Sequence, residues 1–77
     1  MKELVETIAK ALVDSPDDVV VTEKVEDDGT IRIELSVAED DIGKVIGKQG
    51  RIAKSIRTLV KTVAIRKDKR VFVDIVE

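Results

Sequence analysis

The stretch IGKVIGKQGRIAKSIRTLV, residues 42–60, sets two glycines around Lys48 and Gln49, with an apolar approach and a basic departure. On the approach, Ile42, Val45 and Ile46 recur at helical spacing behind Glu39, Asp40 and Asp41, acids that suit the positive end of a helix dipole. On the departure, Ile52, Ile56, Leu59, Val60 and Val63 recur so as to face one way. The pattern predicts a short helix that Gly47 ends after Ile46, a four-residue link, and a second helix from the far glycine to Ile65. Glycine at both ends of the link has two readings. A sharp turn needs positive φ and close packing, which glycine supplies at little cost. Alternatively, missing side chains let a sugar–phosphate backbone approach the main chain at the start of a helix. Lys44, Lys48, Arg51, Lys54 and Arg57 crowd the link, and that density favours the second reading.

Outward from this stretch, Leu4, Val5, Ile8, Ala9 and Leu12 form the stripe of an amphipathic helix over 2–13, which DSPDD stops at Pro16. VVVTEKVE and TIRIELSV read as two strands around the turn residues DDG at 27–29, with Gly29 supplying a positive φ. In the second strand Ile31, Ile33, Leu35 and Val37 alternate with Thr30, Arg32, Glu34 and Ser36, so one face is buried and one is wet. A basic connection, RKDKR, leads into a last strand, VFVDIVE, with Val71, Val73 and Ile75 on one face. Phe72 alternates to the other side, where packing is the expected role. The order α-β-β-α-α-β predicts a two-layer α+β fold: a three-stranded mixed sheet with helices on one face. The last strand follows a helix and so can pair in parallel.

Composition narrows the function. At 77 residues the chain is expected to form one domain, residues 1–77, with little room for a deep cleft. It has neither cysteine nor histidine, which removes thiolate zinc sites and the usual neutral-pH acid–base group. The pairs Asp27/Asp28 and Asp40/Asp41 read as turn chemistry and helix-start charge, not as a catalytic pair, so no enzyme, metal, cofactor or small-molecule substrate is expected. No apolar run matches a membrane span and the N-terminus lacks the pattern of a signal peptide, so a cytoplasmic setting is the expectation. The net charge of −2 hides an asymmetry: residues 1–41 carry 4 Lys/Arg against 13 Asp/Glu, and residues 42–77 carry 10 against 3. A fold that segregates these presents a basic face to a polyanion.

The run VIGKQGR with its spaced aliphatics resembles the core of a KH domain, and the extra helix and strand ahead of it resemble the type II arrangement. Over essentially the whole chain the resemblance is to the KhpA-type family of small bacterial KH proteins. It implies a module holding about four nucleotides of single-stranded RNA in a narrow groove, with the GxxG loop, here Gly47, Lys48, Gln49 and Gly50, against the phosphates. One groove wall comes from the first helix through Gly43 and Ile46, the other from the next helix and a sheet edge. Lys44, Arg51, Lys54 and Arg57 supply flanking charge. The sequence departs from the pattern at Ala53, where many KH domains carry a large aliphatic. The resemblance further implies an RNA chaperone or post-transcriptional regulator, acting as a homodimer or with a Jag-type KH partner, with helix 51–65 as the contact surface. A protein–protein adaptor with a degenerate groove is the alternative, and the loop is where the two differ.

Overall fold

The computed structural model describes residues 1–76, with Lys48 and Gln49 described by their backbone alone. Helix α1, Lys2–Leu12, turns Val5 and Ala9 into the core and rests Leu4 and Ile8 against it. Pro16 opens a single 3-10 turn, Pro16–Asp18, where its fixed φ and missing N–H cost nothing. Strand β1, Val20–Val25, pairs antiparallel with β2, Ile31–Ser36, and β3, Val71–Val76, pairs with β2 in parallel. The central strand therefore carries the most burial: Ile33 and Leu35 are fully inside, Ile31 nearly so, and Arg32 between them faces water. Each such aliphatic contributes roughly 1.5–3 kcal/mol by leaving water.

The hairpin turn forms as its residues dictate. Gly29 takes φ 88°, its N–H donates to the Glu26 carbonyl at 2.9 Å, and the Asp28 carboxylate accepts the Thr30 N–H at 2.9 Å. That bond from the Thr30 backbone, helped by the Thr30 side chain and by the charge of Arg70, holds the Asp28 carboxyl below its ordinary pKa of 3.8.

Helix α2, Glu39–Arg66, departs from expectation at its middle. The helical run does not stop at Gly47, which keeps an ordinary φ; the backbone turns left-handed at Gly50 alone, with φ 67°. A right-handed helix must bend where φ changes sign, so Gly50 divides α2 into two arms, residues 39–49 and 51–66. The chain thus presents the order α-β-β-α-α-β of a type II KH-like fold, with its break three residues later than the spacing indicates.

The second arm packs on the sheet through Ala53, Ile56, Val60 and Ala64, all buried. Leu59 was expected on this face but lies 47% exposed, because a 53-56-60-64 row leaves position 59 about 100° off the stripe at 3.6 residues per turn. Phe72 also corrects an expectation. It sits 46% exposed on the outer face of β3, where among the described residues no second layer covers it, and the Arg32 guanidinium lies over its ring at 5.3 Å.

Candidate nucleic-acid interface

The first arm of α2 is positioned by a buried carboxylate. Asp41, 1% exposed, accepts the backbone N–H of Asp14 at one oxygen and of Ser15 at the other, both at 3.0 Å. A helix-start acid thus becomes a clamp that satisfies two donors in the turn after α1, and it explains how a carboxylate can lie inside. Beside it the Lys44 ammonium sits 3.1 Å from Asp14 on the surface. Val45 fills the core below, and Ile46 points outward, 45% exposed.

Two glycines lie within the arm, at 43 and 47, and a third, Gly50, ends it, spacings of four and three that place them on one face. Gly50 has its conformational reason in φ 67°. Gly47 has none: its φ is ordinary, and a Cβ added there would meet nothing within 4 Å. Gly43 is likewise in open space. A glycine inside a helix costs about 1 kcal/mol relative to alanine, and among the described residues no contact repays that at Gly47.

Next to this bare backbone lies a groove of about 330 Å³ lined by Ile46, Gly50, Ala53, Lys54, Arg57 and Ile75. Its two lining charges are cations, and its floor is apolar. The small side chain at Ala53, buried at 4% exposure, leaves room where a larger aliphatic would fill the space. Arg57 is fixed at the sheet edge, its Nε donating to the Val73 carbonyl at 3.1 Å. The structure therefore brings together four of the residues singled out in the sequence: Ile46, Gly50, Lys54 and Arg57. Arg51 is exposed beside the turn, whereas Lys44 does not line the groove and is paired with Asp14. Lys48 and Gln49, expected at the tip, have side chains outside the described residues. Ile75 supplies the sheet-edge wall, and the parallel pairing of β3 that puts it there is carried by no local motif. Among the described residues no group of carboxylates is placed to hold a metal ion, and no helix is long and apolar enough to cross a membrane.

Residues 2–75 match the KhpA/KhpB KH-domain family. Full-length relatives include proteins named RNA-binding protein KhpA from Caldanaerobacter subterraneus, 62% identical, Clostridium acetobutylicum, 59% identical, and Listeria monocytogenes, 52% identical. These alignments cover 99%, 99% and 100% of this chain and the whole of each relative. Among solved structures, Aquifex aeolicus Era bound to GDP and AlF4⁻ superposes with a TM-score of 0.64 at 22% identity. Era in complex with MgGDPNP and nucleotides 1506–1542 of 16S ribosomal RNA gives the same values. Both matches span 96% of this chain but only 28% of Era, and they speak to the fold alone.

Proposed function

The chain belongs to the KhpA/KhpB KH-domain family, and from that membership and the geometry of its groove we propose that it binds single-stranded RNA, with residues 47–50 against the phosphates. The observation that carries this reading is Gly47, a helical glycine for which the described residues supply no packing or conformational reason, set beside a groove whose lining charges are Lys54 and Arg57. Bare backbone at 43, 47 and 50 lets a sugar–phosphate chain approach more closely than any side chain allows. Lys48, Arg51 and Lys54 neutralise phosphate, Gln49 donates a hydrogen bond, and the Arg57 side chain, anchored through Nε, keeps its remaining donors for the ligand. The apolar lining of Ile46, Ala53 and Ile75 receives bases.

With no Tyr or Trp in the sequence, base stacking is scarce and each groove binds weakly, so the protein works as a homodimer or beside a Jag-type KH partner, as a single KH domain over residues 1–77. The second arm of α2 offers the contact: Ser55, Thr58, Leu59 and Thr62 form an exposed strip without charge. An RNA chaperone or post-transcriptional regulator in the cytoplasm fits these properties. The test is fluorescence anisotropy of a labelled single-stranded RNA pool at several salt concentrations. Two to four phosphate contacts give a log–log slope of about −1.4 to −2.8, and the Lys48→Asp, Gln49→Asp variant abolishes binding. Binding that survives the double substitution would remove the loop from the site.

A further inference from the structure

Beyond Arg57 the cleft does not end. A second groove of about 580 Å³ runs on between the later turns of α2 and strand β3, and Arg57 lines both. We propose that this second groove holds the continuation of the same single strand, so that the chain grips more RNA than the about four nucleotides that a GxxG groove accommodates. The proposal rests on the RNA-binding reading above and extends its footprint.

The charge is complementary. Lys61, Lys69 and Arg70 join Arg57 along the walls, and Asp74 is the one acid among the lining residues. The cations come from two adjoining elements, the end of α2 and the turn that follows it. Lys61 rides on the helix, while Lys69 and Arg70 are delivered by the turn after it. There Asp68 takes φ 55° and the Lys69 N–H closes onto the Ala64 carbonyl at 2.9 Å, which ends α2 and points the chain back to the sheet. RKDKR is therefore more than a solvated connection, since its last two cations border a groove.

The walls offer something for bases as well. Ile65, 68% exposed, and Phe72 border the groove, and β3 lines it from both faces, with Val71 and Val73 on the helix side and Phe72 on the other. Phe72 under the Arg32 guanidinium is the chain's sole aromatic surface, and stacking on an aromatic tolerates any base. From Arg57 to Ile65 the helix rises about 12 Å, room for roughly three stacked nucleotides at 3.4 Å each.

β3 is an edge strand, so an added protein strand is the competing occupant. Two features oppose it: the Val73 carbonyl is already taken by Arg57 Nε, and Lys69 and Arg70 stand at the strand's entrance, charges of the kind that blunt an edge.

The experiment compares labelled oligouridylates of four and eight nucleotides on the full chain and on a Lys61→Ala, Lys69→Ala variant, by anisotropy across a salt series. Length alone raises affinity by offering more registers but leaves the salt slope unchanged, so the slope is the readout. For the natural chain the eight-nucleotide strand should show a slope steeper than the four-nucleotide strand by about 1.4, two added contacts at about 0.7 each. In the variant the difference disappears while binding of the four-nucleotide strand is retained. Equal slopes for both lengths on the natural chain, or an unchanged difference in the variant, overturn the proposal and leave the first groove standing. No binding of either length overturns the RNA-binding reading and this extension together. A variant that shifts self-association in sedimentation while leaving both slopes intact marks the groove as a protein-docking surface, which also overturns it.

Discussion

The two arms of α2 lie on either side of one glycine and are held in different ways. The second arm is fastened by packing, through the buried row Ala53, Ile56, Val60 and Ala64. The first arm buries Val45 and is tied by one carboxylate to the turn after α1, leaving its glycine face bare. The difference teaches that a helix can be kept open to a ligand on the side where its fastening is polar and local. A fully packed arm would have needed side chains where Gly43 and Gly47 lie.

The contrast can be broken most severely in the core. Ile56→Ala should lower unfolding free energy by about 3–4 kcal/mol, within the usual span for a buried aliphatic truncation. Urea denaturation measures this, and a loss under about 1 kcal/mol would mean the second arm is not held by packing. Asp41→Ala comes next. Removing the shared acceptor strands the N–H groups of Asp14 and Ser15, and at about 1–3 kcal/mol per unsatisfied donor, moderated by partial access of water, the loss should be about 2–3 kcal/mol. Its distinguishing mark is faster amide exchange at those two residues while exchange in β2 keeps to the global stability.

The glycines sharpen the comparison because their substitutions should act in opposite directions. Gly50→Ala forces an L-residue to φ 67° and should cost about 1–2 kcal/mol. Gly47→Ala replaces a helical glycine in open space and should stabilise the fold by about 0.5–1 kcal/mol. Each kcal/mol moves the melting temperature by about 4–8 °C in a domain of this size. In the same Gly47→Ala protein the proposed loop–phosphate contact predicts that RNA binding falls, since a new methyl would stand in the way of the backbone. A stabilised variant that still binds with full affinity would leave Gly47 without a ligand-related purpose.

The smallest effect belongs to the hairpin turn, far from either arm. The Asp28 carboxyl titrates below its ordinary 3.8 in the folded chain because the Thr30 N–H favours the ionised form. Its contribution to stability is therefore fully present above about pH 4 and is lost as pH falls through the depressed folded value. Asp28→Asn should flatten that part of the acid-stability curve slightly, and a curve that keeps its shape would detach Asp28 from the turn's stability.

Much of this molecule is legible along the chain, and its limits can be seen at particular residues. The alternation of Ile31, Ile33 and Leu35 against Arg32 declared a half-buried strand, and the structure buries those three and exposes the fourth. DDG announced the turn that Gly29 makes. Lys54, Arg57 and Ile46 were found by their nearness to GKQG, and they do meet in one groove. Lys44 looked equivalent to them by spacing, yet it is engaged by Asp14, thirty residues earlier. Asp41 looked like helix-start charge, and only the approach of the turn at 14–15 makes it a buried clamp. Leu59 counted as core by hydrophobicity, and the helix's rotation against the sheet put it in water.

By itself, then, the sequence determined the order of elements, the inward face of β2, the hairpin turn and the neighbourhood of the GxxG segment. These follow from periodicities and turn preferences that act over a few residues. Tertiary structure decided which glycine bends α2, which cation faces a groove, which carboxylate is buried, and that β3 closes the groove with Ile75 and leaves Phe72 outside. Those outcomes depend on contacts between residues far apart in the chain, and the energies that select among them, packing against a particular neighbour and desolvation in a particular place, exist only once the elements have met.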